Sequence, residues 1–411
     1  MPDRACLHTA PSGHSIPAVK YDFDTVIERR GTSSLKWDYD EKLCGVPGVL
    51  PLWVADMDFA APPEIVSALQ RRVSHRIFGY TLEPESYFEA ARQWLQRRHG
   101  WSVPRDWMTS SPGVIPALSA AILALTDPGD GIVIQPPVYY PFALRVLGNK
   151  RRIVENPLRL NGTRWEMDFE SLERAVDDRT RMLILCSPHN PVCRVWDRTE
   201  LERLSAFCSR RGIVIVSDEI HCDLLMRGFR HVPIASLSDA SAENTVTLVS
   251  ATKTFNLAGL GGSLTIVPSA RLRERFDQQQ KAIFVSLANA PATVAVETAW
   301  RTGQDWLDQL LGYVEENYRF MGAYIAEHLP RVRSFPLEGT YLAWLDMRGL
   351  GLSDTELKKR LLGTAGVWLD EGPMFGRGGE GFQRLNLACP RSILMDALQR
   401  MAAALGGAAG G

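Results

Sequence analysis

Five short apolar runs constrain this chain more than any other feature. They are Gly131-Ile-Val-Ile, Arg181-Met-Leu-Ile-Leu-Cys, Gly212-Ile-Val-Ile-Val-Ser, Asn244-Thr-Val-Thr-Leu-Val and Gly262-Ser-Leu-Thr-Ile-Val. Continuous apolar runs of this length, separated by helical patterns, read as strands of a mostly parallel sheet buried on both faces. An amphipathic helix, Thr199 to Arg211, separates the second run from the third. A helix of small and apolar residues, Ala117 to Leu125, is opened by Pro112-Gly-Val-Ile-Pro and closed by Asp127-Pro-Gly-Asp. The pattern predicts an α/β fold with a large, mostly parallel sheet.

The flanks divide the chain further. Residues 1–20, with Pro2, Pro11, Ser12, Gly13 and Pro17, read as a flexible arm. Residues 21–61 form an N-terminal segment expected to pack with a smaller domain. Pro62-Pro-Glu opens a helix through Ile65, Leu69 and Val73, since proline suits a first helical turn; residues 62–290 are assigned to the large domain. A long amphipathic helix, roughly Pro291 to Leu329, begins the smaller α+β domain at 291–405, where short strands alternate with helices. A glycine-rich tail, 406–411, ends the chain. With 45% hydrophobic residues, 23% charged residues and a formal net charge of -1, nothing points to nucleic acid or an anionic membrane. No apolar run reaches transmembrane length, and the N-terminus lacks a signal-peptide core. The seven cysteines include no CxxC pair, which argues for free thiols in the cytoplasm and against a zinc site; no metal is expected.

In an open parallel sheet, ligands bind beyond the carboxyl ends of the strands. Four strand ends here carry chemistry: Pro136-Pro-Val-Tyr-Tyr, Ser187-Pro-His-Asn-Pro, Asp218-Glu-Ile-His-Cys-Asp and Ser250-Ala-Thr-Lys. Taken singly, each has a plain structural explanation. Lys253 suits a solvated loop, Asp218 a helix cap, Asn190 a turn, Tyr139 the core and Gly113 a helix entrance. Together they fit pyridoxal 5'-phosphate. Lys253 would hold the aldehyde as a Schiff base, and Asp218 would keep the pyridine nitrogen protonated. Asn190 would donate to the phenolic oxygen, and Tyr139 would stack on the ring. The N–H groups of Gly113, Val114 and Ile115, where a helix begins, would take the phosphate, with the Ser250 hydroxyl. His221 is a further candidate contact, weighed against an ordinary packed histidine.

Asn190-Pro, Asp218-Glu-Ile and Ser250-Ala-Thr-Lys resemble the fold-type I pyridoxal-phosphate enzymes of the class I/II aminotransferase superfamily. The longer stretches Gly31-Thr-Ser-Ser-Leu-Lys-Trp-Asp, Leu52-Trp-Val-Ala-Asp-Met-Asp-Phe, Phe78-Gly-Tyr-Thr, Lys253-Thr-Phe-Asn-Leu-Ala-Gly-Leu and Arg384-Leu-Asn-Leu-Ala-Cys-Pro-Arg look like its MalY/PatB branch of cystathionine β-lyase-like C–S lyases. The likeness runs from about residue 21 to 405. It implies an aspartate aminotransferase-like fold and a homodimer with shared active sites. In that arrangement Tyr80 reaches the cofactor phosphate of the partner. Arg384 binds the substrate α-carboxylate, and Trp53, Val54 and Ala55 line the substrate side. Two departures stand out. Many relatives carry arginine eight residues after the lysine, where this chain has Gly261, and the turn after Asn190-Pro191 often continues with glycines, where this chain has Val192-Cys193-Arg194.

The expected reaction is α,β-elimination from an S-substituted L-cysteine, such as cystathionine, giving a thiol, pyruvate and ammonia. Lys253 would take the Cα proton; Lys253, Tyr139 or a partner's Tyr80 would protonate the leaving sulfur. Transamination, or decarboxylation or deamination of a cysteine conjugate, is the alternative on the same scaffold. Ser250-Ala-Thr-Lys253 also reads formally as S-x-x-K, but the companion elements of a serine acyl enzyme are absent.

Overall fold

The structure is a computed structural model that describes residues 21–285 and 288–406. The expected arm at 1–20 and all but the first residue of the tail lie outside the described residues. A seven-stranded sheet organises the chain. Its strands run in the spatial order Met108–Ser111, Ser263–Ile266, Thr245–Val249, Val214–Asp218, Thr180–Cys186, Gly131–Ile134 and Arg152–Glu155. All neighbours are parallel except those of Ser263–Ile266, which is antiparallel to both of its partners.

Successive residues of a strand point to opposite faces, and here both faces are covered. Ile132, Ile134, Met182, Ile184, Val216 and Leu248 pack on one side with the helix Val114–Leu125. Val133, Leu183, Leu185, Ile215 and Val249 pack on the other. This is why the runs are continuous rather than alternating. The helix Val114–Leu125 is apolar around its whole circumference because it lies inside the molecule: Leu118, Ala120, Ala121 and Ile122 are fully buried. The helix Arg198–Arg211 is instead a surface helix with a polar outer face. It starts in a capping box between Asp197 and Glu200 and stops at Gly212, whose φ of 64° is easy only for glycine.

The remaining strands form smaller sheets. Arg333–Ser334, Leu342–Asp346, Phe382–Asn386 and Asp370–Glu371 make an antiparallel sheet in that order. Leu50–Pro51 pairs in parallel with Val367–Trp368, and Asn386 bonds the carbonyls of Val54 and Asp56 through its side-chain amide. The segment around residues 50–56 is thereby stitched against strands that come more than 300 residues later. Nearby, Lys36 is fully buried, with its amine 2.6 Å from Asp58 and 3.6 Å from Asp56.

One element differs from expectation. The single helix read over 291–329 is two helices, Ala290–Thr302 and Gln304–His328, broken at Gly303. The apolar periodicity passes through the break. Position 303 admits only glycine, because a Cβ there would lie 2.3 Å from the Phe255 ring.

Candidate active site

Four parallel strands end at one place, and residues at or just beyond their ends wall a cavity of about 290 Å³. Cys186 and Asp218 are direct neighbours in register at the ends of adjacent strands. The strand Thr245–Val249 runs into Ser250, which caps a single helical turn, Ala251–Thr254. Lys253 stands on that turn, so its amine enters the cavity and donates to the Ala55 carbonyl at 2.6 Å. The turn is clamped from behind: Thr254 donates to Asp223 at 3.0 Å, and Asp223 also bonds Trp94 and His99. His99, Cys222 and Asp223 lie close enough together to suit a metal, but these three donors already occupy the Asp223 oxygens.

Burial sets the electrostatics. It lowers the Lys253 amine from 10.5 to about 8, with Asp56 and Asp218 pulling the other way and Arg384 adding to the fall. It pushes the Asp218 carboxyl up to about 7, and one carboxylate oxygen accepts from the Ile220 N–H at 3.1 Å. A buried carboxyl of this kind is stabilised as the anion only by a cation placed against it. His221 falls to about 3 by burial and by the fields of Lys253 and Arg384, so its ring is neutral; its Nδ1 is buried without a partner. Burial raises the Tyr139 hydroxyl well above its ordinary value and keeps it protonated.

Trp53, Val54, Ala55, Gly113, Val114, Ile115, Tyr139, Asn190, Asp218, His221, Lys253 and Arg384 all line the cavity. Arg384 is almost wholly buried rather than a surface strand residue. Its Nη1 donates to Asn190 Oδ1 and its Nη2 to the Trp53 carbonyl, both at 2.9 Å. Trp53 itself stacks on Trp368 with ring centroids 4.2 Å apart. Two expected residues lie elsewhere. Ser250 is outside the cavity wall because its hydroxyl is turned to the Gly262 carbonyl at 2.6 Å; Thr252 lines the wall instead. Tyr80 is 96% exposed on the surface and does not meet the cavity of its own chain.

The cavity also contains residues that the sequence did not single out: Tyr140, Cys186, Ile220, Thr252 and Asp370. Tyr140 was within reach, as the second half of a tyrosine pair. Asp370 gave no sequence signal; it reaches the site because it lies directly opposite Arg384 on the neighbouring strand.

The residues fit pyridoxal phosphate. The first-turn N–H groups of Val114 and Ile115 have no partner within their own helix, and Gly113 precedes them in extended backbone. Gly261 and Gly262, with φ of 77° and 98°, bring the opposite backbone close to this cradle. A Cβ at 261 would lie 2.7 Å from the Pro112 carbonyl, so no arginine fits there without moving the backbone. The other departure, Cys193, takes a φ of 62°, a conformation that favours glycine, and its thiol is buried against the Leu342 carbonyl.

Residues 47–401 match the family model "Aminotransferase class I and II". The chain belongs to this family. Within it the chain falls with the MalY/PatB group. It is 45% identical to cystathionine beta-lyase PatB of Bacillus subtilis, over 93% of this chain and all of PatB. It is 32% identical to protein MalY of Escherichia coli, over 91% of this chain and 96% of MalY. The structure superposes on cystalysin from Treponema denticola, whose crystals contain a pyridoxal 5'-phosphate cofactor, with a TM-score of 0.91 at 36% identity, over 94% of this chain and 99% of cystalysin.

Proposed function

We propose that this class I/II aminotransferase family member is a pyridoxal-phosphate-dependent C–S β-lyase. It would cleave an S-substituted L-cysteine, cystathionine or another conjugate, to a thiol, pyruvate and ammonia. The observation that carries the reading is one cavity holding a lysine of lowered pKa, a buried aspartate and a buried arginine, in a chain 45% identical to cystathionine beta-lyase PatB. When bound, the cofactor supplies an electron sink for the charge left when Cα loses its proton.

The protein's own groups divide the remaining work. Val114 and Ile115 N–H groups hold the phosphate at a helix N-terminus. Asp218 holds a proton on the ring nitrogen, and the cation pairing in turn keeps Asp218 ionised. Asn190 uses Oδ1 to orient Arg384, which leaves its amide N–H groups free to donate to the cofactor oxygen. Arg384 binds the α-carboxylate, and Trp53, Val54 and Ala55 shield the substrate face from water. Lys253, about half of it unprotonated at pH 8, takes the Cα proton. Lys253, once it carries the Cα proton, returns it to the sulfur as the Cβ–S bond breaks, and Tyr139, kept protonated by burial, donates a hydrogen bond there. Water then converts the released three-carbon enamine to pyruvate and ammonia.

The assembly we propose is a homodimer. Tyr80 sits in an exposed apolar stretch of the chain with Ile77, Phe78 and Leu82, a surface suited to a second copy. In that dimer Tyr80 reaches the partner's phosphate site. The described cysteines are all free, which supports residence in the cytoplasm. The reading is tested by incubating holoenzyme and Lys253→Ala with cystathionine, and separately with an amino acid plus a 2-oxo acid. Pyruvate and free thiol from the parent, reduced about 10³-fold or more in the variant, are expected. A new amino acid without thiol release would establish transamination instead.

A further inference from the structure

Arg384 already has a carboxylate partner in its own chain. Asp370 and Arg384 lie opposite one another on adjacent antiparallel strands, both almost wholly buried and both in the cavity wall. Arg384 Nη2 is shared between the Trp53 carbonyl and the Asp370 carboxylate, Nη1 serves Asn190, and Phe375 packs on the guanidinium 4.9 Å away. Only Nε lacks an acceptor. A substrate α-carboxylate that takes Nε and Nη2 together must therefore share the guanidinium with Asp370.

A charge count shows the consequence. The cavity wall carries two cations, Lys253 and Arg384, and two carboxylates, Asp218 and Asp370. On the lyase reading, Lys253 works as the uncharged base, Asp218 is matched by the ring nitrogen and Arg384 by the α-carboxylate. Asp370, whose carboxyl burial already raises against the pull of Arg384, is then left with half a partner, and its anion is costly without a further cation. His221 is neutral and supplies no charge. Glu371, next in sequence, is tied to Lys358 at 2.7 Å and faces away from this problem. The remaining wall group beside Asp370 is Tyr140, whose hydroxyl is kept protonated by burial and by the field of Asp370, a single neutral donor.

We infer that Asp370 is a specificity-determining residue that selects cysteine conjugates whose sulfur substituent bears a cationic amine or comparable N–H donor, and disfavours those bearing an anion. The inference rests on the β-lyase reading. A substituent cation restores the charge balance that the α-carboxylate disturbs, whereas a second substrate anion deepens the imbalance.

The experiment measures kcat/KM for pyruvate release by holoenzyme from S-(2-aminoethyl)-, S-propyl- and S-(2-carboxyethyl)-L-cysteine, three substrates of similar length. The parent should prefer aminoethyl over carboxyethyl by about 100-fold, with propyl between. Asp370→Asn should shrink that ratio at least about tenfold, and Asp370→Glu should retain it. The parent ratio stands on its own if the asparagine variant does not fold. Three equal rates in the parent, or an unchanged ratio in a folded Asp370→Asn, overturn the inference alone. Pyruvate from none of the three overturns the lyase reading and the inference with it.

Discussion

Placing arginine at position 261 sets charge reasoning against backbone geometry. Charge alone predicts that Gly261→Arg adds a cation beside the phosphate and tightens cofactor binding. The structure predicts the opposite. Position 261 has a φ of 77°, and a Cβ there would lie 2.7 Å from the Pro112 carbonyl. That carbonyl is already fixed by the Gly262 N–H at 2.7 Å, and Pro112 directly precedes the phosphate cradle at Gly113. A left-handed conformation costs a non-glycine residue about 1–2 kcal/mol, and relieving an overpacked contact costs about 1–3 kcal/mol more. The sum, about 2–5 kcal/mol, corresponds to about 2–6 °C in Tm at roughly 0.8 kcal/mol per degree for a chain of about 400 residues. Shifting Pro112 also misaligns the Val114 and Ile115 N–H groups, for an expected loss of about 10–100-fold in cofactor affinity. Thermal melts of apo-enzyme and absorbance titration with pyridoxal phosphate measure the two effects. Gly259→Ala is the control, since nothing lies within 4 Å of its Cβ position; it should melt within about 1 °C of the parent. Tighter cofactor binding by Gly261→Arg with an unchanged melt would refute the geometric argument.

Other outcomes follow from the same site. Asn190→Ala removes the acceptor of Arg384 Nη1, a hydrogen bond to a charged group, and steady-state kinetics should show KM raised about 10–100-fold. An unchanged KM would separate Arg384 from carboxylate binding. Because Lys253 loses its proton near pH 8 rather than 10.5, stopped-flow capture of the cofactor aldehyde by apo-enzyme should speed up with pH and level off above about 9. A rate still climbing at pH 10 would show an unperturbed lysine. Mixing Tyr80→Ala with Lys253→Ala, each nearly inactive alone, should recover roughly a quarter of parent activity, because each mixed dimer keeps one intact shared site. No recovery would show that Tyr80 does not serve a partner's site.

The continuous apolar runs were enough to identify a sheet covered on both faces. That property is local: a strand buried on two sides has no polar face to display, and its composition records the fact. The chemistry at the strand ends was legible for a related reason, since parallel strands deliver their carboxyl ends to one edge, and Asn190, Asp218 and Lys253 follow those ends directly. What stayed hidden depends on contacts between distant parts of the chain. The break at Gly303 leaves the apolar period intact, and only the packed structure shows Phe255 in the space a side chain there would need. Ser250, placed by motif at the phosphate, turns its hydroxyl to Gly262 instead. Asp370 stands 14 residues before Arg384 with no motif of its own, and only strand register sets it against the guanidinium. The sequence determined the sheet and most of the chemical groups, because burial pattern and strand order act locally. The tertiary structure alone decided which of those groups share hydrogen bonds and charge, because pairing and desolvation are properties of positions that meet only once the chain has folded.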